Sequence, residues 1–122
     1  MTAAGDLPIL YGIPNCDTVR KARAWLDAAG VDYRFHDFKK AGVPAEALTA
    51  WLAAVGWERL LNRQGTTWRK LDAAVQSGVV DAVSAAALLR DQPSLIKRPV
   101  VAWTSGAITV GFDPEIFAAA RR

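Results

Sequence analysis

The chain has 122 residues, 52% of them hydrophobic and 22% charged, which is enough for one compact core and too little for two ordinary domains. Its formal charge of +3 comes from dispersed Lys and Arg rather than a basic block, so anionic partners are mildly favoured and no direct nucleic-acid binding is expected. Met1 to Asp6 carries no basic-then-apolar leader, and no uncharged apolar stretch approaches the roughly 18 residues of a membrane span, so a soluble cytoplasmic protein is expected.

Leu7 to Gly12 is a short apolar run ending at Gly12 and Pro14, the pattern of a buried strand followed by a turn. From Asp17 to Ala29, the residues Val19, Ala22, Leu26 and Ala29 fall at helical spacing, and Gly30 supplies the stop. Val31, Tyr33 and Phe35 then alternate with Asp32, Arg34 and His36, which predicts a strand. The connection is long enough for a parallel βαβ crossover, right-handed by the usual rule. Pro44 to Val55, with Leu48, Trp51, Leu52 and Val55 on one stripe, predicts a helix closed at Gly56. Trp68 to Gln76 and Asp81 to Leu89 predict two more, stopped near Gly78 and before Pro93. Pro99 to Trp103 and Ala107 to Gly111 read as an antiparallel hairpin, and Asp113 and Pro114 open a short last helix. This order, β-α-β, helices, β-β-α, describes an α/β sandwich interrupted by a helical segment, with no repeat or linker.

The chain's one cysteine, Cys16, falls where the first strand has ended and the first helix begins. Unsatisfied backbone N–H groups and the positive end of the helix dipole would surround its sulfur there and favour the thiolate. A free cysteine ordinarily packs as a small hydrophobe. Against that ordinary role, Arg20 and Lys21 stand in the early turns of the helix, where cations oppose the dipole. A local rule broken at one place is what functional sites show. Asp17 or Thr18 is expected to cap the helix, and Asp17 also sets a carboxylate beside the sulfur.

Spacing excludes several chemistries. A Cys-x-x-Cys pair would need cysteine at Ile13 or Val19, and a Cys-x5-Arg phosphate loop would need arginine at Ala22. One Cys and one His fall short of a zinc site, so no metal is expected. His36, at an alternating strand position, reads as structural or solvated rather than as a catalytic partner. With five tryptophans in so small a chain, packing is the expected role of Trp25, Trp51, Trp57 and Trp103.

The stretches "YGIPNCDTVRKARAWL", "LLNRQGTTWRKLD", "SLIKRPVVAW" and "VGFDPEIF" resemble the arsenate reductase and Spx (ArsC-like) family, most closely its YffB-like branch of proposed glutathione-dependent thiol reductases. The match runs from about Leu7 to Phe117. It implies a thioredoxin-like fold with a helical insertion in one domain over 1–122, the thioredoxin-like parts at about 7–38 and 93–120 and the helical segment at about 44–92. It makes Cys16 the nucleophile. Arg63 and Arg98 match basic positions that help hold the oxyanion in arsenate reductases, and with Arg20 and Lys21 they form the expected anion- and glutathione-binding set. Pro99 matches the proline whose cis peptide faces the catalytic loop, and an X-Pro bond is the one kind for which cis is cheap. Asn15, Asp17, Trp68 and Pro99 are expected to shape the site.

The chain also departs from its kin. Where arsenate reductases carry an arginine after the glycine of the last strand, Phe112 follows Gly111, and Gly12 stands where they carry a histidine. Val19 stands where Spx-type regulators present a second cysteine. The resemblance therefore implies thiol-disulfide exchange by Cys16 alone, the mixed disulfide being resolved by external glutathione as cosubstrate, with no bound cofactor. Glutathione, disulfide or glutathionylated substrates and glutaredoxin are the implied partners. The alternatives are an arsenate reductase and a non-enzymatic, Spx-like regulator that binds RNA polymerase.

Overall fold

The computed structural model of the chain describes residues 7–121; Met1 to Asp6, read above for a leader, and Arg122 lie outside the described residues. The chain divides into two compact units, one running up to Ala41 and resuming at Arg98, the other comprising Gly42–Lys97.

The first unit opens with β1 (Ile9–Gly12), α1 (Asp17–Ala28), β2 (Arg34–Asp37) and α2 (Phe38–Ala41). The second holds α3 (Ala45–Val55), α4 (Trp57–Leu60), α5 (Thr66–Arg69), α6 (Ala73–Ser77), α7 (Ala82–Asp91) and a 3-10 turn at Pro93–Leu95. The chain then returns to the first unit as β3 (Val100–Ala102), β4 (Ile108–Val110) and α8 (Pro114–Ala120). Four strands form one sheet in the order β2-β1-β3-β4. β1 and β2 are parallel, and β3 runs antiparallel to both β1 and β4. This is the thioredoxin-like arrangement with a helical insertion that the sequence implied.

Register decides which residues share a face. Leu10 pairs with Val101, and both are fully buried with Val19, Ala22 and Leu26 of α1 and with Phe117 of α8. The α1 residues sit at i, i+3 and i+7, one stripe of the helix, which is why this helix lies on this face. Each large aliphatic side chain buried here stabilises the fold by about 1.5–3 kcal/mol. Phe117 closes the cluster by edge-to-face contacts with Trp25, Trp103 and Phe112 at centroid distances of 5.6, 5.1 and 5.0 Å. Tyr11, the next residue of β1, pairs with His36 and Val100, and its ring stands 5.0 Å from the imidazole.

Several elements differ from their sequence reading. β2 begins at Arg34 rather than Val31, because the Val31 N–H is taken by the Leu26 carbonyl (2.9 Å) in closing α1. Pairing with the sheet starts three residues later, where the Arg34 N–H reaches Pro8 O at 2.9 Å. The single helix expected over Trp68 to Gln76 is two short ones, α5 and α6. The Leu71 N–H turns back to Trp68 O (3.1 Å), and Asp72 is extended in ψ at 144°. The Gln76 side-chain amide spans the break by donating to Trp68 O at 2.7 Å. α2 and α4 are added elements, each of four residues. α7 runs on to Asp91 and opens with a capping box, Asp81 accepting from the Ser84 N–H and Ser84 accepting from the Asp81 N–H.

Within the helical unit, Leu61 and Ile96 form an antiparallel bridge flanked by Asn62 N–H to Leu95 O (2.7 Å) and Lys97 N–H to Leu60 O (2.9 Å). These bonds lie at the end of the helical unit, which runs through Lys97. Among the described residues, no helix is long and apolar enough to cross a membrane.

Candidate active site

The loop from Gly12 to Cys16 joins β1 to α1, and Cys16 is itself the N-cap residue of that helix, with φ −145° and ψ 124°. Its carbonyl accepts the first helical bond, from Arg20 N–H at 2.9 Å. The expectation that Asp17 or Thr18 would cap α1 is thereby corrected: an N-cap needs extended backbone, and Cys16 has it. The sulfur occupies the place from which a serine or aspartate would face the N2 and N3 amides, here those of Thr18 and Val19.

Cys16 is half-buried, packed on one side against the cluster around Leu10, Val19 and Val101. Burial is the largest single influence on its thiol and pushes the pKa up. The Val19 N–H, a hydrogen bond and the charge of the Arg98 guanidinium, and the Thr18 N–H act in the opposite direction, and together they hold the thiol below its ordinary range. The Val19 and Thr18 amides thus turn the N-terminal end of α1 toward the sulfur, where the helix dipole favours a negative charge.

Arg98 reaches Cys16 through sheet pairing. Tyr11 faces Val100 across the β1–β3 ladder, so the residues just before β3 lie at the same sheet edge as the loop just after β1. The Arg98–Pro99 peptide bond is cis, and the Pro99 carbonyl accepts from Gly111 N–H at 2.8 Å. Arg20 is differently employed. It forms an ion pair with Asp17 and donates to Asn15 Oδ1 at 3.1 Å, so one guanidinium ties the loop before the sulfur to the first turn after it. Lys21 is exposed on α1.

Arg63 lies in the helical unit, where its guanidinium carbon stands 5.4 Å from the Trp57 ring centroid and 5.8 Å from that of Trp68. The two indoles offer it their negative faces. Trp57, expected only to pack, thus shares with Trp68 the contact to this arginine. Phe112 lies against Phe117 in the core of the first unit, so the residue after Gly111 is a packing residue here. A Cβ added to Gly12 would lie 2.9 Å from Val19 Cγ2, so the space beside this residue is already filled. The donors that the sequence reading left unnamed are the Thr18 and Val19 amides, backbone groups whose signal is the N-cap position of Cys16 and not their residue type. Among the described residues there is no group of three or more His, Cys, Asp or Glu able to hold a metal ion.

A thioredoxin-like sheet presenting one activated thiol at the N-terminus of its first helix, with an arginine reaching it from a cis Arg98–Pro99 bond just before the third strand, defines a thiol-based oxidoreductase. The chain belongs to the ArsC family, whose sequence model matches residues 11–120. A solved structure of a YffB protein is 49% identical with a TM-score of 0.88, the alignment covering 94% of this chain and 99% of that one. The solution structure of an arsenate reductase (ArsC) related protein from Brucella melitensis is 50% identical with a TM-score of 0.72, covering 97% of each chain. The global transcriptional regulator Spx of Streptococcus pyogenes serotype M6 is 31% identical over 112 residues, 87% of this chain and 78% of that one.

Proposed function

We propose that the chain is a single-cysteine, glutathione-dependent thiol-disulfide reductase. The Cys16 thiolate attacks the glutathione sulfur of a glutathionylated substrate, a sulfur–sulfur bond forms to Cys16, and the substrate leaves as a thiolate that takes a proton from water. A second glutathione, as thiolate, attacks the glutathione sulfur of that mixed disulfide. Oxidised glutathione leaves and the Cys16 thiolate returns, so each cycle consumes one free glutathione: the substrate sulfur gains the electron that this glutathione's sulfur loses, while the glutathione brought by the substrate stays at the disulfide level. The observation that carries this reading is a lone thiol held below its ordinary pKa range by Arg98 and two amides, in a chain with no second cysteine to resolve the intermediate. Arg98 also offers a guanidinium to the carboxylates of glutathione. Glutaredoxin is the natural protein relay for such a cycle, and a reducing, cytoplasmic compartment its natural setting.

The test is intact mass after exposure to oxidised glutathione, followed by addition of glutathione and a glutathionylated peptide. A glutathione-sized increment on Cys16, discharged by glutathione, with catalytic release of the peptide thiol, is expected. No increment, or an increment that never discharges, refutes the reading. Arsenate reduction is a second reading, favoured by the 50% identity to the ArsC-related Brucella protein. Against it stand Gly12 and Phe112 in place of a histidine and an arginine, and arsenate-dependent oxidation of glutathione is expected to be absent. Cys16→Ser separates both from a Spx-like adaptor: it abolishes thiol exchange but leaves any binding to RNA polymerase intact.

A further inference from the structure

A depression of about 390 Å³ opens on the unit that carries Cys16. Its size falls in the range of roughly 300–1,000 Å³ typical of small-molecule sites. One wall is the loop before the sulfur, Ile13, Pro14 and Asn15; the other is Asp37, Lys39 and Lys40, where β2 runs into α2. The loop wall ends one residue short of Cys16, a step of about 3.8 Å between α-carbons.

The charges of this cleft are its distinguishing feature. Asp37 is fixed in place, its Oδ1 accepting the N–H of Lys39 at 3.0 Å and of Lys40 at 3.3 Å. Among the described residues, neither lysine side chain has an ion-pair partner. A fixed carboxylate beside two ammonium groups, facing a wall with the apolar Ile13 and Pro14, is the complement of a group bearing one cation and at least one carboxylate on neighbouring atoms. That group is the head of an α-amino acid, and the surplus positive charge suits a ligand of net negative charge.

We propose that this cleft binds the α-amino-acid head, ammonium and carboxylate together, of the small thiol or disulfide that reacts at Cys16. The inference rests on the thiol-exchange reading above and adds to it a recognition site on the β2–α2 junction. Two natural ligands share this chemistry. In glutathione the γ-glutamyl head is separated from the sulfur by about two residues of reach, roughly 7 Å; in free cystine the head is a few bonds from it.

The experiment is a titration of the ¹⁵N-labelled protein with S-methylglutathione and, separately, with S-methylcysteine, neither of which can exchange disulfides. Saturable shifts of the Asn15, Lys39 and Lys40 amides are expected with at least one of them, and the ligand that produces them identifies the head. The double variant Lys39→Ala/Lys40→Ala is expected to weaken that affinity by about tenfold or more. Asp37→Asn, which keeps the acceptor oxygen of the turn but removes the charge, should weaken it too. Arg34→Ala, which removes a charge at the other end of β2, should not. Unmoved amides with both ligands, or variants at Lys39, Lys40 and Asp37 that bind as tightly as the parent, overturn the proposal. The mass assay with oxidised glutathione is scored separately. A Cys16 adduct without amide shifts sinks the cleft and spares the reductase reading; amide shifts without an adduct do the reverse.

Discussion

Gly12→Ala is the most informative single perturbation of the site's packing, because residue 12 and Val19 are two of the positions at which this chain departs from its kin. They touch. A methyl on residue 12 would meet Val19 Cγ2 at 2.9 Å, Val19 Cγ1 at 3.4 Å and Leu10 Cδ2 at 3.7 Å. Val19 and Leu10 are both 0% exposed, so neither neighbour is a loose chain end that moves aside freely. Overpacking of this kind costs about 1–3 kcal/mol, from which the smaller unfolded-state entropy of alanine recovers about 0.4–1 kcal/mol. A net loss of about 1–2 kcal/mol is expected. Val19→Ala alone removes two buried methyl groups and should cost about 1–3 kcal/mol through lost burial and the cavity left behind. In the double variant the new methyl enters the space that Val19 vacates. The two losses should therefore fall short of their sum by about 1 kcal/mol or more. Urea denaturation of the parent, both single variants and the double variant, followed by tryptophan fluorescence, measures this coupling. Losses that add within about 0.3–0.5 kcal/mol would refute the contact as the reason for glycine at position 12.

The rate of Cys16 alkylation against pH should show a midpoint below the roughly 8.5 of a free thiol, and Arg98→Met should move it upward; identical midpoints in the two proteins refute the Arg98 assignment. Because the folded thiol's pKa is depressed, its contribution to stability relative to Cys16→Ser is full above the unfolded value and is lost as pH falls through the folded one, which paired urea titrations will show. Phe117→Ala should lower stability by about 3–5 kcal/mol, since it empties the fully buried centre of three edge-to-face contacts; a urea-derived loss below that of an ordinary exposed site would contradict the packing. The Asp81 carboxyl is held below its usual range first by the Ser84 N–H, then by the Ser84 hydroxyl, so Asp81→Ala should destabilise the chain at neutral pH and progressively less as pH falls through the folded carboxyl's pKa. Hydrogen exchange in the first turn of α7 reads the same loss locally.

The elements legible in the sequence were those long enough to show a period. α1 declares itself by Val19, Ala22 and Leu26, and the β3–β4 hairpin by two apolar runs around Ser105 and Gly106. α2 and α4 have four residues each, barely one turn, and no stripe can repeat within a turn. The α5–α6 break was hidden because Leu71 continues the apolar spacing while Asp72 leaves the helix, a choice made by the Leu71 N–H folding back on Trp68 O. At the site, position alone marked Cys16 as reactive, whereas nothing local to "IKRP" announces that Arg98 reaches the sulfur. Only the family resemblance carried that, and the physical cause is the register of β3 on β1, a pairing between segments far apart in the chain. The cleft residues Lys39 and Lys40 were invisible for the opposite reason. Exposed lysines are ordinary, and only the placement of Asp37 and the Ile13–Asn15 loop beside them makes a site.

Arg20 shows how a correct signal can have a different cause. A cation in the first turn of a helix costs stability against the dipole, and the obvious reason is to keep the neighbouring sulfur ionised. The groups that act on the Cys16 thiol are instead Val19, Arg98 and Thr18. Arg20 pairs with Asp17 and Asn15, occupying the one carboxylate that adjoins the sulfur in sequence and tethering the loop that carries it. The activating charge comes from Arg98, two residues before β3 and after the helical segment in sequence. Ionisation of Cys16 is therefore a property of the assembled sheet rather than of α1 alone. An isolated βαβ segment would keep the two amides but lack the arginine, so the thiol's reactivity is linked to the return of the chain at Arg98 and the pairing of β3 with β1.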